Sequence, residues 1–457
     1  MITDIPFIGP HLANRPNFQK VIANTGWLFA DRIVRMGVGL FVVVWMARYL
    51  GPQQFGLLNF AAAFTALFGA FATLGLDKIV VRDLVKHPER RDVLLGSALG
   101  LKLAGGFLAL LITGTAIALI RPGETLMCWL VWLCAAGFIF QSLNVIDFYF
   151  QAHVQSKYAV YAANAAFLLI ALLKVALLLG RAPLIAFAWA GLAEIALASL
   201  FLMAAYRFNH MRIRAWRFDK SVAFDQLKDS WPLIFSIFAV MIYMRIDQVM
   251  IGQMLGDHQV GIYSAAVRIS EAWYFIPMAI AGSVFPTIIH TKTQSEALYY
   301  QRLQKLFDML ALLGLSVAAV MIFSSSYIVQ MLYGATYAAA ADVLTIHIWA
   351  GVFVGLGVAA GGWFMAENLQ KYTLYRTCLG AATNIVLNLY MIPAYGPKGA
   401  AISTIISQGC ASVFFNALSS KTRPIFIYQI KSLLLYGLVL RLYFFCKKAT
   451  RCPLSSF

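Results

Sequence analysis

Charged side chains lie inside long apolar stretches of this sequence, where they are costly. A charge at the centre of a bilayer costs roughly 2.5–3.5 kcal/mol on insertion scales, so such residues face a bundle interior or a wet cavity. Cations outnumber acids by two, and an interior with excess positive charge suits an anionic ligand such as a phosphate group. The cations are Arg32, Arg35, Lys102, Lys174, Arg245, Arg268 and Arg376, and the acids are Asp31, Asp147, Glu194, Asp247 and Glu271.

Spacing along a helix separates local pairs from residues that need distant partners. Asp31 and Arg35 are four apart on one helix face, so they could simply neutralise each other. Arg245 and Asp247 are two apart and point to different sides of their helix, so each needs a partner from another helix. Asp247 is therefore a better candidate than Asp31 for a functional acid.

Other charges allow a structural and a functional interpretation. Arg268 and Glu271 are three apart and could pair locally or line a site. Glu194 is a single acid in the middle of a helix, which predicts a proton or ion site, but a salt bridge to Lys174 of the neighbouring helix is the alternative. Three cations lie near helix ends, where their side chains could instead extend to the interface: Lys102, Lys174 and Arg376.

The composition indicates that the helices carrying these residues cross a membrane. Hydrophobic residues make up 61% of the chain and charged residues 12%, with a mean hydropathy of +0.76. The apolar runs are continuous rather than alternating, which predicts spanning helices and not a barrel. Twelve spans are predicted at 25–47, 57–76, 96–120, 126–149, 159–180, 183–206, 232–255, 261–289, 306–325, 343–365, 372–393 and 399–419.

The net charge of +17 is explained by the loops between these spans. Eighteen Lys and Arg residues fall in one alternate set of connections and four in the other, which contains only Arg48, Arg121, Arg181 and Lys398. By the positive-inside rule this places the N-terminus in the cytoplasm. No zinc-finger spacing or basic-aromatic groove accompanies the charge, so nucleic-acid binding is excluded.

A short internal repeat supports a division into two halves. Leu50–Gly56 resembles Leu255–Gly261, in the loop after the first helix of each half. We therefore predict an all-α polytopic membrane protein of about twelve helices in two six-helix lobes, with a binding site between them. The predicted parts are a cytoplasmic N-terminus (1–24), the first lobe (25–206), a cytoplasmic linker (207–230), the second lobe (231–419) and a basic tail (420–457) with a short extra helix.

Catalytic and nucleotide-binding motifs are missing from the sequence. We find no G-x-x-x-x-G-K-[ST], H-E-x-x-H or G-x-S-x-G pattern, so neither a cofactor nor a metal is expected and ATP bound to this chain does not drive it. The outer loops are too short for a folded catalytic domain, which argues against the alternative of a membrane glycan polymerase or ligase.

Several stretches resemble the polysaccharide-biosynthesis transport proteins, the O-antigen and exopolysaccharide flippases of the multidrug/oligosaccharidyl-lipid/polysaccharide exporter superfamily. The likeness begins with Ala47-Arg48-Tyr49-Leu50-Gly51-Pro52 and Phe55-Gly56, and it covers roughly residues 24–419. Further matching segments are Leu74-Gly75-Leu76, Val81-Arg82-Asp83, Arg245-Ile246-Asp247, Val260 to Ala266 through Arg268 and Glu271, Pro286, Asn384, Asn388, Tyr395-Gly396 and Gly399-Ala400-Ala401. The short basic tail after 420 departs from the pattern.

The resemblance implies a two-lobed, MATE-like bundle in the bacterial inner membrane. Such a protein moves undecaprenyl-diphosphate-linked oligosaccharides to the periplasmic leaflet by alternating access, in a pathway that includes a polysaccharide polymerase. It also implies that interior cations bind the diphosphate and that interior acids couple transport to a proton or sodium gradient. The alternatives of the same fold are a cation-coupled drug antiporter, whose interior should be acidic, and a peptidoglycan-precursor flippase. The expected headgroup contacts are Arg32, Arg35, Arg245, Arg268, Lys102 and Lys174, and the expected coupling acids are Asp247, Glu271, Glu194 and Asp31.

Overall fold

The computed structural model describes residues 16–292 and 294–435, with side chains described from Arg35 onward. These residues form α-helices joined by short turns, and they contain no β-strand. The helices are α1 Pro16–Thr73, α2 Leu76–Lys86, α3 Arg91–Ile120, α4 Thr125–Gln141, α5 Val145–Ala152, α6 Lys157–Leu179, α7 Leu184–Phe208, α8 Lys220–Met254, α9 Asp257–Ala272, α10 Phe275–Lys292, α11 Glu296–Tyr333, α12 Ala340–His347, α13 Ala350–Ala366, α14 Gln370–Tyr395, α15 Pro397–Ser412 and α16 Arg423–Leu433.

Within that part of the chain, eleven helical segments are long and apolar enough to cross a membrane. The first, Arg35–Lys86, has 52 residues. At 1.5 Å per residue it is roughly 78 Å long, more than twice the roughly 30 Å hydrocarbon core, so it contains two crossings. The break between them lies at Gly51, where the backbone leaves the helical region. The predicted fold class, an all-α polytopic protein of about twelve spans, is confirmed.

The internal repeat seen in the sequence has a structural counterpart at its second residue. Gly51 has φ 68° and ψ 171°, and Gly256 has φ 87° and ψ 171°. A positive φ combined with an extended ψ is accessible to glycine and strained for other residues. In both halves the next helical stretch resumes at once, at Pro52 and at Asp257. The repeat therefore encodes the same sharp reversal after the first span of each half.

The chain divides into two compact units, with the boundary between Met241 and Ile242. This boundary falls inside α8, beyond the predicted linker at 207–230. In the first unit, α2, α3, α5 and α7 share a core that includes Leu95, Phe150 and Tyr206. In the second unit, α11 and α13 share a core that includes Phe307, Leu356 and Phe364.

The polar segment before α8 is packed on α3 rather than extended in solvent. A Cβ at Gly96 would clash with the Arg217 carbonyl oxygen, so the two backbones approach closely there. The Asp219 backbone N–H donates to Ser97 Oγ at 3.1 Å, and Gln226 Nε2 donates to the Leu94 carbonyl oxygen at 3.1 Å. The start of α8 is thus fixed to the first unit.

The region after the last predicted span contains α16. Buried amide groups fix this helix, because Asn416 Nδ2 donates to Gln429 Oε1 at 2.8 Å and Gln429 Nε2 donates to the Ser412 carbonyl oxygen at 2.9 Å. The rest of the predicted basic tail, from residue 436 onward, lies outside the described residues.

Candidate functional site

A buried carboxylate on α8 forms the most connected polar group of the second unit. Asp247 is 5% exposed. Its Oδ2 accepts hydrogen bonds from Tyr263 Oη at 2.7 Å and Thr404 Oγ1 at 2.6 Å, and its Oδ1 accepts from Asn388 Nδ2 at 2.6 Å. These donors come from α9, α15 and α14, and all of them are neutral. Among the described residues no Lys, Arg or His side chain forms an ion pair with Asp247.

A second layer of polar side chains supports this carboxylate. Asn388 Nδ2 also donates to Asn384 Oδ1 at 3.1 Å, and Asn384 Nδ2 donates to Ser407 Oγ at 3.4 Å. The buried Asn388 Oδ1 has no hydrogen-bond donor among the described residues. A carboxylate, an unpaired amide oxygen and two hydroxyl oxygens therefore meet in one buried place, which is chemically suited to a proton or a small monovalent cation.

The α8 arginine near Asp247 faces a different partner. Arg245 Nη1 lies 3.9 Å from Glu271 Oε2 on α9, and the two side chains are 35% and 26% exposed. Arg268, one turn before Glu271, is exposed, and its charge interacts with those of Arg245 and Glu271. An exposed arginine on a membrane-spanning helix needs water or a polar ligand rather than lipid. Two arginines and one carboxylate thus form a mixed cluster with a net positive charge.

A third arginine of the second unit has incompletely satisfied donors. Arg376 Nη2 donates to the Gly357 carbonyl oxygen at 3.1 Å, and its guanidinium lies 5.1 Å from the centre of the Phe364 ring. Its Nη1 is buried without an acceptor in the described part of the chain, and so is the hydroxyl of Tyr243 on α8. An acceptor that reached these buried donors, such as an anionic ligand, would satisfy them.

The predicted cations of the first unit have structural partners. Lys174 Nζ on α6 lies 2.9 Å from Glu194 Oε2 on α7, the salt bridge that the sequence offered as an alternative for Glu194. Lys102 is 3% exposed, lies 3.7 Å from Asp77 Oδ1 and sits 4.8 Å from the centre of the Phe148 ring. Neither lysine is available to a ligand in this conformation.

The expected site at the start of the chain is described only in part. The side chains of Asp31 and Arg32 lie outside the described residues. The guanidinium of Arg35 lies 5.2 Å from the centre of the Phe167 ring. Their assignment to headgroup binding and to ion coupling stays a prediction.

Sequence reasoning missed several members of the Asp247 cluster. Tyr263 and Thr404 were not selected, and Asn384 and Asn388 were noted only as part of a resemblance. The available signal was the spacing of Asn384 and Asn388, four residues apart on an apolar helix, where polar side chains must share an interior face. No group of three or more His, Cys, Asp or Glu side chains suited to a metal occurs among the described residues.

Comparison with protein families identifies the chain. The sequence profile of the family described as polysaccharide biosynthesis protein matches residues 21–292, which is more than half of the sequence. The chain belongs to that family. A second profile, MatE, matches residues 232–390 of this family member. Both matches agree with the resemblance found in the sequence.

Individual proteins give the same result over most of the chain. A predicted O-antigen transporter of Shigella flexneri is 23% identical over 405 residues, covering 84% of this polysaccharide biosynthesis protein and 94% of the relative. The EPS I polysaccharide export inner membrane protein EpsE of Ralstonia nicotianae is 24% identical over 384 residues, covering 80% and 86%. The solved structure of the lipid II flippase MurJ, in an inward closed conformation, matches with a TM-score of 0.71 at 17% identity and covers 92% and 93%. That likeness shows the fold.

Proposed function

We propose that this protein is a flippase for lipid-linked oligosaccharides in O-antigen or exopolysaccharide synthesis. It moves undecaprenyl-diphosphate-linked units from the cytoplasmic to the periplasmic leaflet of the bacterial inner membrane by alternating access. Its family and the names of its relatives, an O-antigen transporter and a polysaccharide export protein, support a transporter rather than an enzyme. The apolar helices account for a multi-pass membrane protein.

The observation that carries the substrate class is the set of arginines on membrane-spanning helices of the second unit. The membrane-spanning helices of this unit carry the three cations Arg245, Arg268 and Arg376 and the two acids Asp247 and Glu271. Their surplus is one positive charge when Asp247 is ionised and two when it is neutralised. A guanidinium can bind a phosphate through two parallel hydrogen bonds. For this reason we assign binding of the diphosphate headgroup to Arg245 and Arg268. Arg376, with an unpaired Nη1, joins them as a third contact.

Of the other four predicted headgroup contacts, two are retained and two are given a structural role. Arg32 and Arg35 are retained as contacts from the first span. Lys102 and Lys174 are given structural roles, because one is buried beside Asp77 and the other is paired with Glu194. Because Glu194 is paired with Lys174, we do not assign it to ion coupling. Asp31 is kept in the group of charged residues on the first span, with Arg32 and Arg35.

Coupling to an ion gradient is assigned to Asp247. A buried carboxylate with only neutral donors loses several kcal/mol of hydration on burial, and a bound proton or Na⁺ offsets that loss. Glu271 has a different role, because it lies beside Arg245 and adjusts the charge of the headgroup cluster. The choice between a proton and Na⁺ is decided by the gradient experiment described in the Discussion.

Orientation and partners complete the proposal. The excess of Lys and Arg in one alternate set of connections supports a cytoplasmic N-terminus. Delivery of sugar units to the periplasmic leaflet then makes the polysaccharide polymerase the consumer of the product.

The experiment is a leaflet assay in a host strain that lacks the gene. We expect lipid-linked oligosaccharide to accumulate on the cytoplasmic side, and wild-type protein to restore its transfer. Arg245→Ala should reduce the transfer by about tenfold or more, because a hydrogen bond to a charged group contributes about 1.5–3 kcal/mol. Arg207→Ala is the matched control, because Arg207 is exposed in the last turn of α7, outside the cluster.

Two results would contradict the proposal. Normal transfer by Arg245→Ala, at equal protein level, would remove the arginine cluster from the substrate site. Normal transfer in the deletion strain together with altered tolerance to cationic drugs would instead identify a drug antiporter, the function offered by the MatE match.

A further inference from the structure

A cleft lined by polar and aromatic side chains lies between the start of α11 and the tail helix α16, away from the arginine cluster and Asp247. Its volume is about 570 Å³, within the range of small-ligand pockets. One face of α11 lines it with residues three and four apart, and α16 closes the opposite side. The residues of the lining that matter below are Glu296, Tyr300, Gln304, Asp308, Tyr428 and Lys431.

The floor of the cleft holds acceptor atoms that lack donors. Asp308 Oδ1 accepts hydrogen bonds from Gln304 Nε2 and from Ser432 Oγ, each at 2.7 Å. Among the described residues, Asp308 has no cationic partner and its Oδ2 accepts no hydrogen bond. Gln304 Oε1 is buried and also lacks a donor there. Because Asp308 lines the cleft, its free carboxylate oxygen can accept from a ligand with N–H or O–H donors, whereas the buried Gln304 Oε1 is not accessible from it.

The walls of the cleft are aromatic. The rings of Tyr300 and Tyr428 are stacked, with centroids 5.5 Å apart and an interplanar angle of 15°. Burial raises the pKa of Tyr428, so its hydroxyl stays protonated and the ring is neutral. Aromatic faces beside a carboxylate attract cations, and Lys431 Nζ already lies 5.8 Å from the Tyr428 centroid at the rim. Such a cleft suits an ammonium group with an anion beside it at Lys431.

The position of the cleft along α11 decides the source of that ammonium. The charged residues of α11 end at Asp308, and the rest of the helix, from Met309 to Tyr333, carries no charge and is mostly apolar. The cleft thus lies at the level where lipid headgroups meet the hydrocarbon core, on the cytoplasmic side in the orientation proposed above. Soluble ligands of the cytoplasm would compete there with a dense layer of headgroups.

We propose that this cleft binds the headgroup of a zwitterionic phospholipid with a primary ammonium group. The ammonium donates to Asp308 Oδ2 and lies against the tyrosine rings, while Lys431 contacts the phosphate. The bound lipid connects α16 to α11 and acts as a structural cofactor of the second unit. Only the assignment of the cleft to the cytoplasmic leaflet rests on the proposed function, because it uses the membrane orientation proposed there.

The test compares headgroups that differ in the number of N–H donors. Full-length protein is purified in detergent and titrated with short-chain phosphatidylethanolamine, its N-methyl and N,N-dimethyl forms, and phosphatidylcholine, with bound lipid counted by native mass spectrometry. We expect affinity to fall along that series, with phosphatidylethanolamine bound at least about tenfold more tightly than phosphatidylcholine. Asp308→Asn should abolish this preference, and Lys431→Gln should weaken every member of the series without changing their order.

Controls keep the test independent of folding and of transport. Asp225→Asn makes the same chemical change at an exposed aspartate of α8 and should leave the series unchanged. Glu296→Gln removes a charge from the cleft lining without touching the Asp308 hydrogen bonds. It should reduce the preference for phosphatidylethanolamine by less than Asp308→Asn does, and it replaces Asp308→Asn as the test if that variant disturbs α16. Equal affinity of the wild type for all four lipids, or a preference for phosphatidylglycerol, would overturn the proposal. The readout is lipid binding, so a failure of the flippase assay leaves it unaffected.

Discussion

Replacing Asp247 with asparagine tests whether this carboxylate couples transport to an ion gradient. The variant keeps the shape of the side chain but removes its charge. One oxygen continues to accept from Tyr263 and Thr404, and the new amide nitrogen faces Asn388. Rotation of the Asn388 amide presents its unpaired Oδ1 to that nitrogen, so the hydrogen bond between residues 247 and 388 is replaced, while Asn384 Oδ1 loses its donor.

The expected change in stability is small because two effects oppose each other. Three hydrogen bonds to a charged acceptor become bonds to a neutral one, which loses roughly 1 kcal/mol for each bond. Removal of a buried charge that has no ionic partner relieves several kcal/mol of desolvation. We therefore expect Asp247→Asn to melt within about 4 °C of the wild type, a shift equivalent to about 1 kcal/mol for a unit of this size.

The functional consequence should be large. In proteoliposomes, wild-type transfer of lipid-linked oligosaccharide should respond to an imposed Na⁺ gradient or to an imposed pH gradient, and that response identifies the coupling ion. Asp247→Asn should lose the response to that gradient. Asp225→Asn, an exposed change on the same helix, should retain it. A folded Asp247→Asn protein with the full wild-type response would refute the assignment of coupling to this residue.

Three further changes test other parts of the structure. Arg268→Lys should keep part of the transfer activity that Arg268→Ala loses, because an ammonium supplies charge without the planar fork of a guanidinium; equal activity of both variants would separate Arg268 from the substrate. In a double-mutant cycle of Lys174→Ala and Glu194→Ala, melting should show a favourable coupling of about 0.5–3 kcal/mol, and a coupling of zero would contradict the ion pair. Gly96→Ala should destabilise the protein by about 1–3 kcal/mol, because the new methyl group meets the Arg217 backbone; an unchanged melting temperature would exclude that close contact.

The membrane-spanning helices were predictable because the length of an apolar run is a local property of the sequence. The break at Gly51 was also visible, since Gly-Pro after an apolar run interrupts a helix. The opposite orientation of Arg245 and Asp247 followed from their spacing and agrees with their separate contacts to Glu271 and to the Asn388 side. Each of these predictions depends only on residues that are close along the chain.

The partners of the charged residues were harder to predict because they come from distant parts of the chain. Glu271 could pair with Arg268 on its own helix or with Arg245 on α8, and helix spacing alone favours the first, whereas the structure has an ion pair with Arg245. Asp247 and Asn388 are separated by 141 residues, so no spacing rule connects them. Lys174 and Glu194 lie on adjacent helices, and this proximity made their pairing a stated alternative.

Headgroup binding and ion coupling, the two functions proposed for the second unit, both depend on residues of α8. Residues two apart differ by about 200° around a helix axis, so Arg245 and Asp247 face nearly opposite directions from the same turn. Arg245 contacts the exposed charged cluster, and Asp247 contacts a buried network on α14 and α15. In the proposed mechanism, a cation bound at Asp247 would therefore act on the headgroup cluster through the position of this turn and through charge, and not through a shared ligand. It follows that Asp247→Asn should alter the response to the gradient while leaving the chemistry of headgroup recognition intact, and that Arg245→Ala should do the reverse.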